Sequence, residues 1–253
     1  MIKNFFKEIS NGVISALFPK HCICCEEIVD ENEFLCDYCY EMIERIDADK
    51  RCLACGLDKK NCDCKRLIFH FEGCVVPFYN IGIAKRALYK LKLSHREYHT
   101  EFFAREIVLR IKEELPDVKF DGVCYVPGNV LNNLKRGFNQ AELLAKRISE
   151  IMNIPLNKKA LYMKRRGKGQ HNLTGRERFI NVRGMYGYNY RNSGKTLLLI
   201  DDIKTTGATL DECARQLLFS GAHHIYCACA LATVQEYKNP TKEKVENGNR
   251  NRN

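Results

Sequence analysis

Residues 196–210, TLLLIDDIKTTGATL, decide how this chain folds. Five residues from Thr196 to Ile200 form a continuous apolar run of the kind buried on both faces inside a parallel sheet. The run ends in two acids, Asp201 and Asp202, and the next turn supplies threonines and a glycine before a helix over 210–219. Backbone N–H groups at a helix start carry the positive end of its dipole, so Thr205, Thr206, Gly207, Ala208 and Thr209 form a cradle for a phosphate. Gly207 lets the backbone approach that phosphate closely. Asp201 and Asp202 stand at the carboxyl end of the strand, where α/β sheets place ligands, and carboxylates there accept hydrogen bonds from ribose hydroxyls. A phosphate cradle beside a diol clamp describes a site for a ribose 5-phosphate.

The elements around this segment alternate. Residues 71–79 and 122–126 have strand patterns, and 83–93 and 97–115 have helical ones. Asn139 followed by Glu142 has the form of a capping box opening a helix whose face carries Ala141, Leu144, Ala145, Ile148, Ile151 and Met152, with Pro155 closing it. Gly221 ends the helix over 210–219, and residues 224–232 form a further strand. The order is that of an α/β domain. With 253 residues, 45% hydrophobic and 28% charged, the composition is globular, sized for one core and an appendage.

The appendage is rich in cysteine. Eight of the fourteen cysteines fall in pairs near the N-terminus: Cys22 with Cys25, Cys36 with Cys39, Cys52 with Cys55, and Cys62 with Cys64. A two-residue spacer lets both thiolates of a knuckle converge on one tetrahedral ion, and a second pair nearby completes a four-cysteine zinc site. Four pairs imply two zinc ions. Sequential pairing is simplest, a crossed arrangement remains open, and Cys24 is an alternative to Cys25. Gly56, directly after Cys55, suits the left-handed turn that ends a knuckle. Sites of four cysteines leave no place for water, so both ions are structural. A disulfide framework is the alternative, disfavoured without a secretory signal. Cys24, Cys74, Cys124, Cys213, Cys227 and Cys229 are packing residues, the Cys227/Cys229 alternation pointing to one face of a strand.

Charge is uneven. Residues 158–183 carry nine basic side chains against one acid, Glu177, so most of the net +10 sits there. That density suits a polyanionic partner. The tail, 238–253, is basic, rich in asparagine and expected to be disordered. At the other end, residues 1–19 suit an amphipathic helix with Ile2, Phe5, Phe6, Ile9, Val13 and Leu17 on one face; Lys7 and Glu8 interrupt any signal-peptide core. No apolar run approaches a membrane span of ~20 residues. These features place the chain in the cytoplasm without an integral membrane segment. The expected organisation is the N-terminal helix at 1–19, a double zinc ribbon at 20–66, the α/β domain at 67–237 and the tail.

The run of hydrophobic residues, two acids, two free positions and Thr-Thr-Gly-x-Thr resembles the phosphoribosyl pyrophosphate (PRPP) signature of type I phosphoribosyltransferases. Adding the double zinc ribbon, Val126-Pro127, Arg136-Gly137-Phe138-Asn139-Gln140, Gln170, Arg176 and Asn181, the stretch from about Phe18 to Ala232 is similar to the ComF family of competence-associated proteins. Gly128-Asn129 departs from the apolar residue common after Val-Pro, and Lys204 adds a charge beside the phosphate turn. The resemblance implies a phosphoribosyltransferase-like parallel sheet with helices on both faces behind the zinc module. It also implies a role in uptake or processing of transforming DNA.

The same resemblance implies a chemistry: magnesium-assisted displacement of pyrophosphate from PRPP by a nitrogen nucleophile. Asp201 and Asp202 would hold the ribose and face its developing positive charge. Gly128, Asn129, Lys135 and Arg136 would hold the pyrophosphate, and the segment 164–176, with Arg165, Arg166 and Lys168, would resemble the mobile catalytic loop. Whether the chain turns PRPP over stays open. A binding protein that tracks single-stranded DNA with the basic stretch, or a PRPP-sensing scaffold for competence or recombination proteins, uses the same features.

Overall fold

The computed structural model of the chain describes residues 19–62, 64, 68–93, 97–128, 138–164 and 175–234. The expected N-terminal helix, apart from position 19, and the basic tail lie outside the described residues. In chain order the elements are helix α1 (Asp37–Met42), strands β1 (Gly73–Val75) and β2 (Phe78–Tyr79), helices α2 (Gly82–Leu93) and α3 (Glu97–Glu114), strand β3 (Gly122–Tyr125) and helix α4 (Gln140–Met152). There follow strand β4 (Leu161–Met163), helix α5 (Gly175–Val182), strands β5 (Tyr186–Tyr188) and β6 (Thr196–Lys204), helix α6 (Ala208–Phe219) and strand β7 (His224–Ala232).

The main sheet has the order β1-β7-β6-β3, with β2 also pairing to β7, and every pairing in it is parallel. Parallel strands need covering on both faces, and the core divides accordingly. On one face Leu198, Ile200, Ala228 and Ala230 pack with Leu88 of α2, Phe103 and Ile107 of α3, and Leu144 and Ile148 of α4. On the other, Leu197, Leu199, Cys227 and Cys229 pack with Leu210, Cys213 and Leu217 of α6. Full burial of side chains such as Phe103 or Leu144 contributes roughly 1.5–3 kcal/mol each. Cys74, Cys124 and Cys213 share the second face with the Cys227/Cys229 pair, as packing residues do.

The cysteine-rich segment adds to both cores. Cys22, Ile23, Leu35, Cys39 and Ile43 join the α2–α4 face, whereas Ile46, Cys55 and Leu57 join the α6 face. Gly56 is left-handed with φ 75°, and a side-chain carbon there would meet the Cys74 carbonyl at 2.5 Å. Only glycine fits a knuckle pressed this closely against β1.

Four boundaries differ from the sequence expectations. Residues 71–79 form two short strands, because Pro77 has no N–H to give the ladder and its carbonyl instead accepts from Ile46 N at 2.9 Å. The central strand runs through both acids to Lys204, since β7 continues to pair with it as far as Ala232. Asn139 does cap α4, but its side chain accepts from Ala141 N, while Glu142 lies beside the Tyr125 hydroxyl. The helix then stops at Met152 because Asn153 takes the left-handed cap, two residues ahead of Pro155. The β4–β5 antiparallel pair and α5 are additional elements.

Candidate functional site

The turn 205–209 has the form its sequence demands. Gly207 is the N-cap of α6 with φ 84° and ψ −2°. A side-chain carbon at Gly207 would lie 3.2 Å from Phe69 Cε1 and 3.4 Å from Lys204 Cε, so both conformation and space call for glycine. Thr206 Oγ1 accepts from Ala208 N at 3.3 Å, and the Gly207 carbonyl accepts from Asp211 N at 2.8 Å. Thr205, Thr206 and Thr209 are half-buried, so the turn reaches solvent through its hydroxyl-bearing positions.

Asp201 and Asp202 are half-buried in the last third of β6. Asp201 is in register with Cys229, and its Oδ1 accepts from Asp202 N at 2.9 Å; Asp202 Oδ1 accepts from Ile203 N at 2.7 Å. The Asp201 charge acts on Tyr186, Cys213 and Cys229, which places it toward the α6 face. Burial, then Cys213 and Asp201, push the Tyr186 hydroxyl far above its ordinary range. Strand β3 ends in register with Ile200, directly before the acid pair, and Val126 N donates to the Ile200 carbonyl at 3.0 Å. The segment 126–128, ending at half-buried Gly128, therefore leaves the sheet at the same end as the acids and the turn. Asn139 braces its root, donating from Nδ2 to the Val126 carbonyl at 3.0 Å.

Asn129, Lys135 and Arg136 lie outside the described residues, as do Arg165, Arg166, Lys168 and Gln170. Lys164, just before that second stretch, donates its amide to the Met185 carbonyl at 2.7 Å. The structure thus brings together Asp201, Asp202, the turn 205–209 and Gly128.

Three residues around the turn carry no motif in the sequence. Phe69 stacks on Phe71 with ring centroids 4.6 Å apart and covers Gly207. His70 donates its amide to Asp211 Oδ1 at 2.6 Å, and its Nδ1 lies 3.0 Å from the same oxygen. Asp211 was discoverable only as an acid in the first turn of α6.

The eight paired cysteines form two groups in sequential order, Cys22, Cys25, Cys36 and Cys39, and Cys52, Cys55, Cys62 and Cys64. Within each group the sulfurs lie within 4.8 Å of one another. Individual separations include 3.5 Å for Cys25–Cys36, 3.3 Å for Cys52–Cys64 and 3.5 Å for Cys55–Cys62. A tetrahedral zinc with Zn–S bonds of ~2.3 Å sets sulfur edges of ~3.8 Å, which both groups approach, the Cys62–Cys64 pair at 2.9 Å having to open by under an ångström to take the ion. All fourteen cysteines are free thiols, and Cys24 is buried outside the tetrad with its Sγ directed to the Ile83 carbonyl at 3.8 Å. Burial pushes Cys22 and Cys52 up, but hydrogen bonds, chiefly from Cys25 and Cys64 respectively, hold each near 7. Burial pushes Cys55 up to about 12, and burial with the neighbouring thiols pushes Cys39 and Cys64 far up. A dication held by four sulfurs would favour the thiolate form of each ligand.

The two tetrads differ in surroundings. Residues 26–44 carry eight acids and no lysine or arginine, and Lys20, Lys90 and Arg105 pack against this segment from outside it. A separate cleft of about 500 Å³ between α3 and α4, lined by residues including Tyr98, Leu143 and Lys146, is crossed by the Arg147–Glu101 ion pair and holds neither the acids nor the turn.

A parallel α/β sheet thus carries an acid pair in the last third of an interior strand, followed by a glycine-capped turn, in a chain that also gathers eight cysteines into two tetrads. In sequence the chain is 28% identical over 154 residues to the DNA utilization protein YhgH of Escherichia coli, covering 58% of this chain and 66% of that protein. It is 25% identical over 206 residues to the competence protein ComFC of Streptococcus pneumoniae, covering 78% of this chain and 86% of that one. Competence protein F of Haemophilus influenzae matches at 26% over 108 residues, 42% of this chain and 47% of that one. The chain is a homologue of these DNA-utilization and competence proteins, in keeping with its resemblance to the ComF family. It spans 66%, just under two thirds, of the length of the Escherichia coli relative. No protein-family model matches. Among solved structures, a purine phosphoribosyltransferase from Pyrococcus horikoshii aligns with TM-score 0.32 at 20% identity, covering 52% of this chain and 74% of that one. An adenine phosphoribosyltransferase from Thermoanaerobacter pseudethanolicus aligns with TM-score 0.33 at 10% identity, covering 56% and 83%. Among the described residues no helix is long and apolar enough to cross a membrane.

Proposed function

We propose that this chain is a ComF-like PRPP-binding protein that acts in the uptake or use of transforming DNA. The observation that carries the reading is the juxtaposition of the glycine-capped turn, residues 205–209, with Asp201 and Asp202 at one end of β6. The turn holds the 5-phosphate with the N–H groups that open α6, helped by the hydroxyls of Thr205, Thr206 and Thr209. The two carboxylates hold the ribose hydroxyls. The pyrophosphate is assigned to Gly128 together with Asn129, Lys135 and Arg136, and the catalytic charges to Arg136, Arg165 and Arg166, all but Gly128 lying outside the described residues.

Magnesium, when bound with PRPP, neutralises pyrophosphate charge. Any transfer to a nitrogen nucleophile then rests on positioning and on Asp201 and Asp202 facing the positive charge that grows on the ribose. The two cysteine tetrads hold structural zinc. The basic stretch 158–183, with nine basic side chains against one acid, is the segment offered to single-stranded DNA.

Competition binding tests the reading. Labelled PRPP with magnesium is displaced by excess ribose 5-phosphate, and more weakly by pyrophosphate alone, if turn and acids form one site. Displacement by pyrophosphate but not by ribose 5-phosphate contradicts the assignment. Binding of single strands that is steep in salt and indifferent to PRPP would support DNA binding as a separate property of the basic stretch.

A further inference from the structure

The second cysteine tetrad and the phosphate turn are in contact through two separate routes. One is the chain itself. Five residues after Cys64, the Phe69 ring lies 3.2 Å from the position a side-chain carbon at Gly207 would take. It is held there by its stack on Phe71 and by Phe179 of α5, with centroids 6.3 Å away. The next residue, His70, is bonded twice to Asp211, whose own amide bonds back to the Gly207 carbonyl. Phe69 and His70 thus clamp the N-cap and first turn of α6.

The other route is Lys204. It is the last residue of β6, is only 4% exposed, and its Cε lies 3.4 Å from the same position at Gly207. Its side chain lies near enough to Cys55 of the tetrad and to Cys74 of β1 for its charge to reach both sulfurs. A tetrathiolate zinc carries two negative charges in sum, and a buried lysine beside it is a natural counter-charge. The knuckle is fixed to the sheet as well, with Cys74 N donating to the Leu53 carbonyl at 3.1 Å. Among the described residues the first tetrad shows no such link: its Cys22, Cys36 and Cys39 pack in the core on the opposite face.

We propose that the metal held by Cys52, Cys55, Cys62 and Cys64 controls the phosphate turn. With the metal in place, Phe69 and His70 are held against Gly207 and Asp211; with it lost, the clamp slackens and residues 205–211 lose their set shape. The metal of Cys22, Cys25, Cys36 and Cys39 has no such effect. PRPP affinity would then depend on the state of one zinc site and not the other, making that site a sensor of metal supply. The ligand consequence rests on the proposed PRPP reading, whereas the mechanical coupling does not.

Amide hydrogen exchange on the full chain tests the coupling without PRPP. Cys62→Ser is compared with Cys25→Ser, each expected to lose one zinc. Exchange across residues 205–211 should quicken tenfold or more in Cys62→Ser and stay within twofold of wild type in Cys25→Ser. Phe69→Ala with His70→Ala, retaining two zinc ions per chain, should reproduce the quickening, and this variant decides the matter if Cys62→Ser fails to fold. Unchanged exchange in the clamp variant, or equal quickening in both cysteine variants, overturns the proposal. Titration with magnesium PRPP then separates the two readings. A wild type that binds no PRPP while its turn responds to Cys62→Ser loses the ligand and keeps the coupling; PRPP affinity untouched by Cys62→Ser does the reverse.

Discussion

Arg51 Nε stands 2.8 Å from Glu114 Oε1, joining the cysteine-rich segment to the end of α3 with both side chains almost wholly buried. Arg110, one turn earlier, contacts Glu114 at 3.2 Å and donates to the Ile46 carbonyl at 2.5 Å. Burial pushes the Glu114 carboxyl up to about 7 against the pull of the two arginines. A carboxyl raised in the fold stabilises it fully below its unfolded value, and that contribution is lost as pH rises through the folded value. Between about pH 6 and pH 8, the zinc-saturated wild type should lose roughly 1 kcal/mol more stability than Glu114→Gln. Denaturant midpoints at the two pH values check this; equal losses contradict it.

Gly207→Ala should be damaging out of proportion to its size. The left-handed backbone at this N-cap costs an alanine about 1–2 kcal/mol, and the added carbon meets Phe69 and Lys204. Thermal unfolding should shift down by several degrees, and PRPP affinity should fall at least tenfold. Gly184→Ala, also at positive φ but with open space around it, should shift unfolding without changing affinity.

The placement of the thiols predicts a sharp contrast between neighbours. Cys25→Ser should reduce bound zinc from two ions to one, whereas Cys24→Ser should leave two, because its thiol faces the Ile83 carbonyl and not the tetrad. Native mass spectrometry counts the ions directly. Two zincs in Cys25→Ser would overturn the ligand set.

Much of this architecture was legible because it is local. A five-residue apolar run, a Gly at a helix cap and cysteine spacers of one or two residues each act within a few positions of the chain, so the core of β6, the α6 cap and the cysteine knuckles followed from sequence. Pairing of the four cysteine pairs was left open by spacing, because only the folded chain brings the sulfurs of each sequential group within 4.8 Å of one another. The length of β6 was misjudged because strand pairing with β7 carries the ladder past two acids that look like an end. Strands β4 and β5, at three residues each, are too short to show a period. The clamp on the phosphate turn was invisible for another reason: His70 and Asp211 are 141 residues apart, and nothing in either neighbourhood names the other.

The central claim is that Asp201, Asp202 and the turn after them bind PRPP. Calorimetric titration of the zinc-loaded chain with magnesium PRPP, alongside Asp201→Asn with Asp202→Asn, tests it most directly. Saturable binding in the wild type, weakened at least tenfold in a double variant that keeps its fold and both zincs, is the expected result. Equal affinity in the two proteins, or no binding to the wild type, would contradict it.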